Sequence, residues 1–287
     1  MIAAPAISVA VLGGGRWARA LYGLLLAQKE HAPERVSRVL HHRDGADLAE
    51  LGAIDLLILA APATAVRPLM RQAAPYLHGA QLLVHAVGSL APAEGEGGRA
   101  FISEVVRAET PLRRVGALAG PALAQDLEER RPAALTCGSR YDEVGAMARQ
   151  AMAGPGLLFY TTRDLIGVEV ARAMTAVVAF AGGIASALDL GAATRSVLVA
   201  RGAAEMARLG VALGASERTF FGLAGVGEMV VATDGHGSAD FELGRLFAQG
   251  VELGAAQLQV ARVCDGPSMV KEASRLAAAH RLRLPLT

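Results

Sequence analysis

Residues 7–22 constrain this chain more than any other stretch. The apolar run Ile7–Leu12 reads as a buried strand, Gly13-Gly14-Gly15 as a turn, and the segment through Leu21, Leu24 and Leu25 as a helix. Gly13, Gly15 and Ala18 fill the spacing G-x-G-x-x-A. In that pattern the first small residue permits a tight turn and the second lets backbone N–H groups approach a diphosphate. The third lets helix and strand pack closely. The helix start adds unpaired N–H groups and a partial positive charge. A glycine-rich turn can also bind nothing, but the strand before this one and the helix after it favour a dinucleotide site.

A length of 287 residues suits two domains. Hydrophobic residues make up 53% and the mean hydropathy is +0.36, much of it from Ala, which points to close helix packing rather than a membrane. The apolar, uncharged run 173–188 is short for a membrane span and, as a span, is broken by Gly182-Gly183. A net charge of +1 with scattered arginines gives no support to nucleic-acid binding. Cys137 and Cys264 are too few for a disulfide framework, and a cytoplasmic location is expected. The segment 1–12 lacks the basic start of a signal sequence and is taken as the first strand. Lys29 and Lys271 are the only lysines, so chemistry that needs a lysine has very few candidates.

Strand-like runs recur at 35–40, 54–61, 81–87, 115–119 and 133–137, with a helical segment at 66–77 and a Gly-, Pro- and Glu-rich loop at 91–100. The continuous apolar run at 54–61 is the signature of a parallel strand covered on both faces. The pattern predicts an α/β Rossmann domain, a doubly wound and mostly parallel sheet, over 1–162. An all-α domain over 163–287 follows, with helical runs at 164–190, 193–213, 241–249, 255–263 and 267–280, and a cleft between the two domains is expected. The second strand ends at His41-His42-Arg43. An Arg there accommodates the 2′-phosphate of NADP, so NADP is slightly preferred over NAD, although Asp44 lies just beyond.

With these motifs in place the chain resembles the bacterial NAD(P)-dependent glycerol-3-phosphate dehydrogenase family. Gly13–Ala18 stands where the family has a G-x-G-S-W-G turn, with the unusual Trp17 kept. Ala61-Pro62-Ala63-Thr64 looks like the family's V-P-S-Q, and Ala119–Ala124 looks like S-G-P-S-F-A. The helix start D-x-x-G-V-E is Asp164–Glu169, and Arg201-Gly202 with Glu205-Met206 is similar to R-G-x-x-E-M. Phe221–Glu228 resembles T-F-x-G-L-A-G-L-G-D. The resemblance implies a coenzyme site at Gly13, Gly14, Gly15, Arg16, Trp17, Arg43, Ala124, Val263 and Asp265. It implies a substrate site including Gly120, and a homodimer is expected.

The departures fall on the substrate side. The family's lysine in G-A-L-K-N acts as acid/base; here that segment is Arg172–Ala176 and Thr175 holds the lysine's place. A second lysine, in K-G, is replaced by Val87 before Gly88. The Asp of G-L-G-D is Glu228, and S-R-N, which holds phosphate and coenzyme in the family, reads Ser238-Ala239-Asp240. The E-G pair becomes Asp265-Gly266. Reducing dihydroxyacetone phosphate needs a proton donor and cations for the phosphate; Thr175 and Val87 supply neither. Three carboxylates, Glu228, Asp240 and Asp265, would repel a phosphate.

Arg172 can hold an anion, but an ion pair with Glu169 or another acid is the more ordinary role for it. His236 lies on the D-G-H-G-S loop, where an exposed histidine is the common outcome. Asp234, His236 and Asp240 are spaced too loosely for a metal site, and none is expected. Lys271, on the last helix, reads as a surface lysine. The expected function is a glycerol-3-phosphate dehydrogenase-like oxidoreductase, poor or inactive on glycerol 3-phosphate and taking a neutral or cationic substrate. The alternative is a catalytically inactive dinucleotide- or partner-binding protein on the same scaffold.

Overall fold

The computed structural model describes residues 5–41, 47–92 and 99–287. The chain forms two compact units. The first comprises Met1–Val87, Ala100–Leu118 and Ala122–Leu165; the second comprises Gly88–Arg99, Ala119–Pro121 and Ile166–Thr287.

The first unit is built on a seven-stranded sheet. Its strands are β1 (Ile7–Leu12), β2 (Val36–His41), β3 (Leu56–Leu59), β4 (Leu82–His85), β5 (Val115–Ala119), β6 (Ala133–Ser139) and β7 (Leu157–Thr162). Their order is β2-β1-β3-β4-β5-β6-β7. The pairs β1/β2, β1/β3, β3/β4, β4/β5 and β6/β7 are parallel, as crossover helices require. Those helices are α1 (Arg16–His31), α2 (Ala63–Ala73), α3 (Ile102–Glu109), α4 (Ala124–Glu128) and α5 (Asp142–Met152). Every residue of β1, β3 and β4 is buried, which is why these strands are unbroken apolar runs. β7 alternates instead: Leu157 and Phe159 are buried while Leu158 and Tyr160 are exposed, the pattern of an edge strand covered on one face. Because strand order reverses between β1 and β3, the turn after β1 opens at the switch point of the sheet, where α/β folds bind ligands.

The second unit is helical: α6 (Leu165–Ala187), α7 (Gly191–Ala212), α8 (Glu217–Phe220), a π-turn at Leu223–Gly227, α9 (Glu228–Ala232), α10 (Ala239–Ala248), α11 (Leu253–Val260) and α12 (Gly266–Ala279). By length and composition α6 is apolar enough to cross a membrane, yet 78% of its most apolar window is buried inside the protein, so it is a core helix. It runs unbroken through Gly182-Gly183, in line with the helical run 164–190 read from the sequence. A Cβ on Gly183 would collide with the Phe241 carbonyl, and one on Gly244 with the Phe180 carbonyl. The glycines bring the backbones of α6 and α10 together, and the tertiary contact offsets their weak helix propensity.

Candidate functional site

The glycine turn of the first unit meets the steric demands of its fingerprint. Gly13 has φ +152°, and a Cβ there would strike the Ala60 carbonyl oxygen and lie 3.1 Å from Ala18 Cβ. Both small residues are therefore required by packing, and Ala18 is fully buried. Gly15 differs. It is the N-cap of α1, with φ −75°, no side-chain cap, and no atom within 4 Å of where a Cβ would lie. The start of α1 is thus left without a side-chain cap and with open space at Gly15, the cradle that a diphosphate fits. Next to it, the indole N–H of Trp17 is buried with no acceptor among the described residues. A dinucleotide fits these groups, and when bound it would supply or accept a hydride.

Around that turn the first unit adds contacts that no short motif announces. Arg16 donates from Nε and Nη2 to the Glu128 carboxylate of α4, at 2.7–3.2 Å. Arg19 Nη1 donates to the Gly14 carbonyl at 2.8 Å. Tyr22 of α1 stacks on buried His41, the last residue of β2, with ring centroids 5.0 Å apart. Ala124 opens α4 and packs, like Trp17, against the sheet's core. Arg43, on which the NADP preference rests, lies outside the described residues.

In the second unit a charged cluster gathers residues far apart in sequence. Glu228, at the start of α9, is 4% exposed; its Oε2 accepts from the Gly120 N–H at 2.9 Å, and it forms an ion pair with Arg172 of α6. The arginine's partner is thus Glu228 rather than Glu169. Its side chain retains 30% exposure. Burial lowers the Arg172 pKa, while Asp265 and Asp240 act in the opposite direction. Gly88 lies at the edge of the cluster: a Cβ there would sit 3.3 Å from Asp265 Oδ2 and 4.0 Å from Arg172 Nη2.

Asp240 has a structural task that its sequence position does not reveal. Its Oδ1 accepts from the Gly266 N–H at 2.7 Å, and the Asp265 N–H also bonds to its carboxyl. It therefore caps the N-terminus of α12, whose own N-cap residue, Asp265, makes no side-chain cap. Burial pushes its pKa up to about 7, and the neighbouring Asp265 adds to the rise. Ser238 caps α10, its Oγ accepting from the Phe241 N–H at 3.2 Å. The Ala239 carbonyl accepts weakly from Cys264 Sγ at 3.6 Å. Burial pushes that thiol up to about 12, so it carries no thiolate near neutrality.

Thr175 is 4% exposed, and its hydroxyl donates to the Ala171 carbonyl one turn back at 2.9 Å. Val87 is buried and presents only methyl groups. His236 is 83% exposed and lies 4.0 Å from Asp234, which itself pairs with Arg195. Val263 is 53% exposed, and Lys271 is exposed on α12. Among the described residues no three His, Cys, Asp or Glu side chains are grouped to hold a metal ion. Among the described residues, the guanidinium that meets Glu228, Asp240 and Asp265 is that of Arg172, already engaged by a carboxylate.

Comparison with known proteins gives a consistent result. Residues 37–144 match the N-terminus, and residues 164–287 the C-terminus, of NAD-dependent glycerol-3-phosphate dehydrogenase. The glycerol-3-phosphate dehydrogenase (NAD(P)+) of Synechococcus elongatus is 33% identical over 279 residues, covering 96% of this chain and 88% of the relative. The enzyme of the same name from Bacillus velezensis is 29% identical over 306 residues, covering 97% and 87%. The crystal structure of glycerol-3-phosphate dehydrogenase from Coxiella burnetii superposes with a TM-score of 0.86 at 25% identity, covering 98% of this chain and 92% of that one.

Proposed function

This chain belongs to the NAD-dependent glycerol-3-phosphate dehydrogenase family, and from that premise we propose an NAD(P)-dependent oxidoreductase whose substrate is no longer glycerol 3-phosphate. The observation that carries the reading is the state of Thr175: buried, back-bonded to Ala171, and without a titratable proton at the position where the family resemblance puts the acid/base lysine. Carbonyl reduction needs a proton at oxygen as the hydride arrives, and loss of such a group typically lowers rates by about 10² to 10⁴. Arg172 does not compensate, because a guanidinium stays charged at working pH and this one is paired with Glu228. Asp240 has a pKa in a useful range but bonds the N–H groups that start α12.

Glu228, Asp240 and Asp265 against one Arg172 disfavour a phosphate dianion and favour a neutral or cationic substrate. NADP is preferred over NAD on the strength of Arg43 in the sequence. A cytoplasmic homodimer fits the composition and the exposed apolar residues Leu188, Leu190 and Val197 at the α6/α7 end of the helical unit. The second reading, a dinucleotide-binding protein without catalysis, is supported by the same engaged state of Thr175, Arg172 and Asp240.

The test is fluorescence titration with NADH and NADPH, followed by turnover with dihydroxyacetone phosphate and a panel of neutral and amino-bearing carbonyl compounds. Coenzyme binding with negligible turnover of dihydroxyacetone phosphate is expected. Rates like those of ordinary glycerol-3-phosphate dehydrogenases would overturn the reading. Binding with no turnover across the panel would favour the non-catalytic alternative.

A further inference from the structure

We propose that the Arg16–Glu128 ion pair sets coenzyme affinity, with the dinucleotide's diphosphate competing against Glu128 for the Arg16 guanidinium. The inference rests on the coenzyme reading above and concerns a pair that the glycine fingerprint does not include. Arg16 is the first residue of α1, directly after Gly15, the position whose surroundings are left open for the diphosphate. Its guanidinium is held by both oxygens of a carboxylate 112 residues away. Glu128 is thus a resident anion beside the positive end of α1, where a phosphate would also be drawn. The Arg19 charge acts on the same carboxylate, and its side chain is fixed to the Gly14 carbonyl.

The pair is built to yield. Arg16 and Glu128 side chains are 50% and 39% exposed, and exposed ion pairs hold only weakly. A diphosphate presents two charges and several acceptor oxygens to a donor fork that binds phosphate as readily as carboxylate. Coenzyme entry then transfers Arg16 from Glu128 to the phosphate and leaves the carboxylate to solvent. The lost ion pair is subtracted from the binding free energy, and Glu128 holds affinity below what the turn could reach.

The test is a double-mutant cycle on the full chain, reading dissociation constants for NADH, NADPH and ADP-ribose by calorimetry. Thermal melts of the free variants check that each is folded. Glu128→Gln is expected to tighten binding about three- to tenfold, and Arg16→Ala to weaken it by a similar factor. In the Arg16→Ala background, Glu128→Gln should change little. An unchanged or weaker constant for Glu128→Gln overturns the proposal, as does an equal gain without Arg16, which would mark simple repulsion by Glu128. Binding by the wild type that responds to neither substitution overturns the role of the Arg16–Glu128 pair alone. No binding of any of the three ligands by any variant overturns the coenzyme reading and the role of the ion pair together.

Discussion

The glycine turn of the first unit and the charged cluster of the second are built from different kinds of group. At the turn the recognising groups are backbone N–H groups, shaped by where side chains are absent: Gly13 against Ala60, and Gly15 against open space. In the cluster the groups are side chains, and each has found a partner within the chain: Arg172 with Glu228, Glu228 with Gly120, Asp240 with Gly266. Backbone recognition depends on conformation, so a family can drift widely in sequence and retain it. Side-chain recognition can be lost one substitution at a time while the fold stays intact.

The largest effect that would sharpen this contrast comes from the two outer glycines of the turn. Gly13→Ala places a methyl against the Ala60 carbonyl and should destabilise by about 4 kcal/mol or more, read by urea denaturation. Gly15→Ala meets no protein atom and should stay within about 0.5 kcal/mol of the wild type, yet weaken coenzyme binding at least about tenfold by filling the diphosphate cradle. If both variants lose stability equally, Gly15 is structural and the contrast fails at its first position.

Next in size is Arg172→Ala, which leaves Glu228 buried with the Gly120 N–H and no cation. A loss of about 3–5 kcal/mol is expected, largely recovered when Glu228→Gln is added. A stable single variant would mean that the guanidinium is not needed by the fold and is available to a ligand.

The smallest expected effect concerns Asp240. Its pKa rises from 3.8 to about 7 on folding, so between those values the folded chain binds a proton that the unfolded chain has released. Stability from this group is greatest below about pH 4 and is lost as pH rises to 7, by an amount on the order of a few kcal/mol. Asp240→Asn can still accept from the Gly266 N–H and should flatten that slope in denaturation series at pH 5 and pH 8. Parallel profiles for the two proteins would show that the proton is not held there.

The legibility of the sequence divides along the same line. The turn could be read because its pattern lies within six residues, and β1, β3 and β4 because burial on both faces writes an unbroken apolar run. β7 and α5 were missed: a short edge strand that alternates exposed Leu158 and Tyr160 gives no such run. The helix through Gly182-Gly183 was legible, but a local pattern cannot show that α10 presses against α6 there. The partner of Arg172 lies 56 residues along the chain and that of Asp240 lies 26, so neither follows from helical spacing. Thr175, Val87 and Asp240 were visible as residue types. That Asp240 caps α12, and so has a use without any ligand, was not.

The grouping of Gly88–Arg99 and Ala119–Pro121 with the helices has a consequence for how this chain can be cut and recombined. A fragment starting at residue 163 would contain every helix of the second unit but lack Gly120, whose N–H meets the buried Glu228 carboxylate, and Gly88 beside Asp265. The helical half is therefore not a detachable module. Grafting it onto another nucleotide-binding half would also require transplanting two short loops from the interior of the sheet-forming sequence.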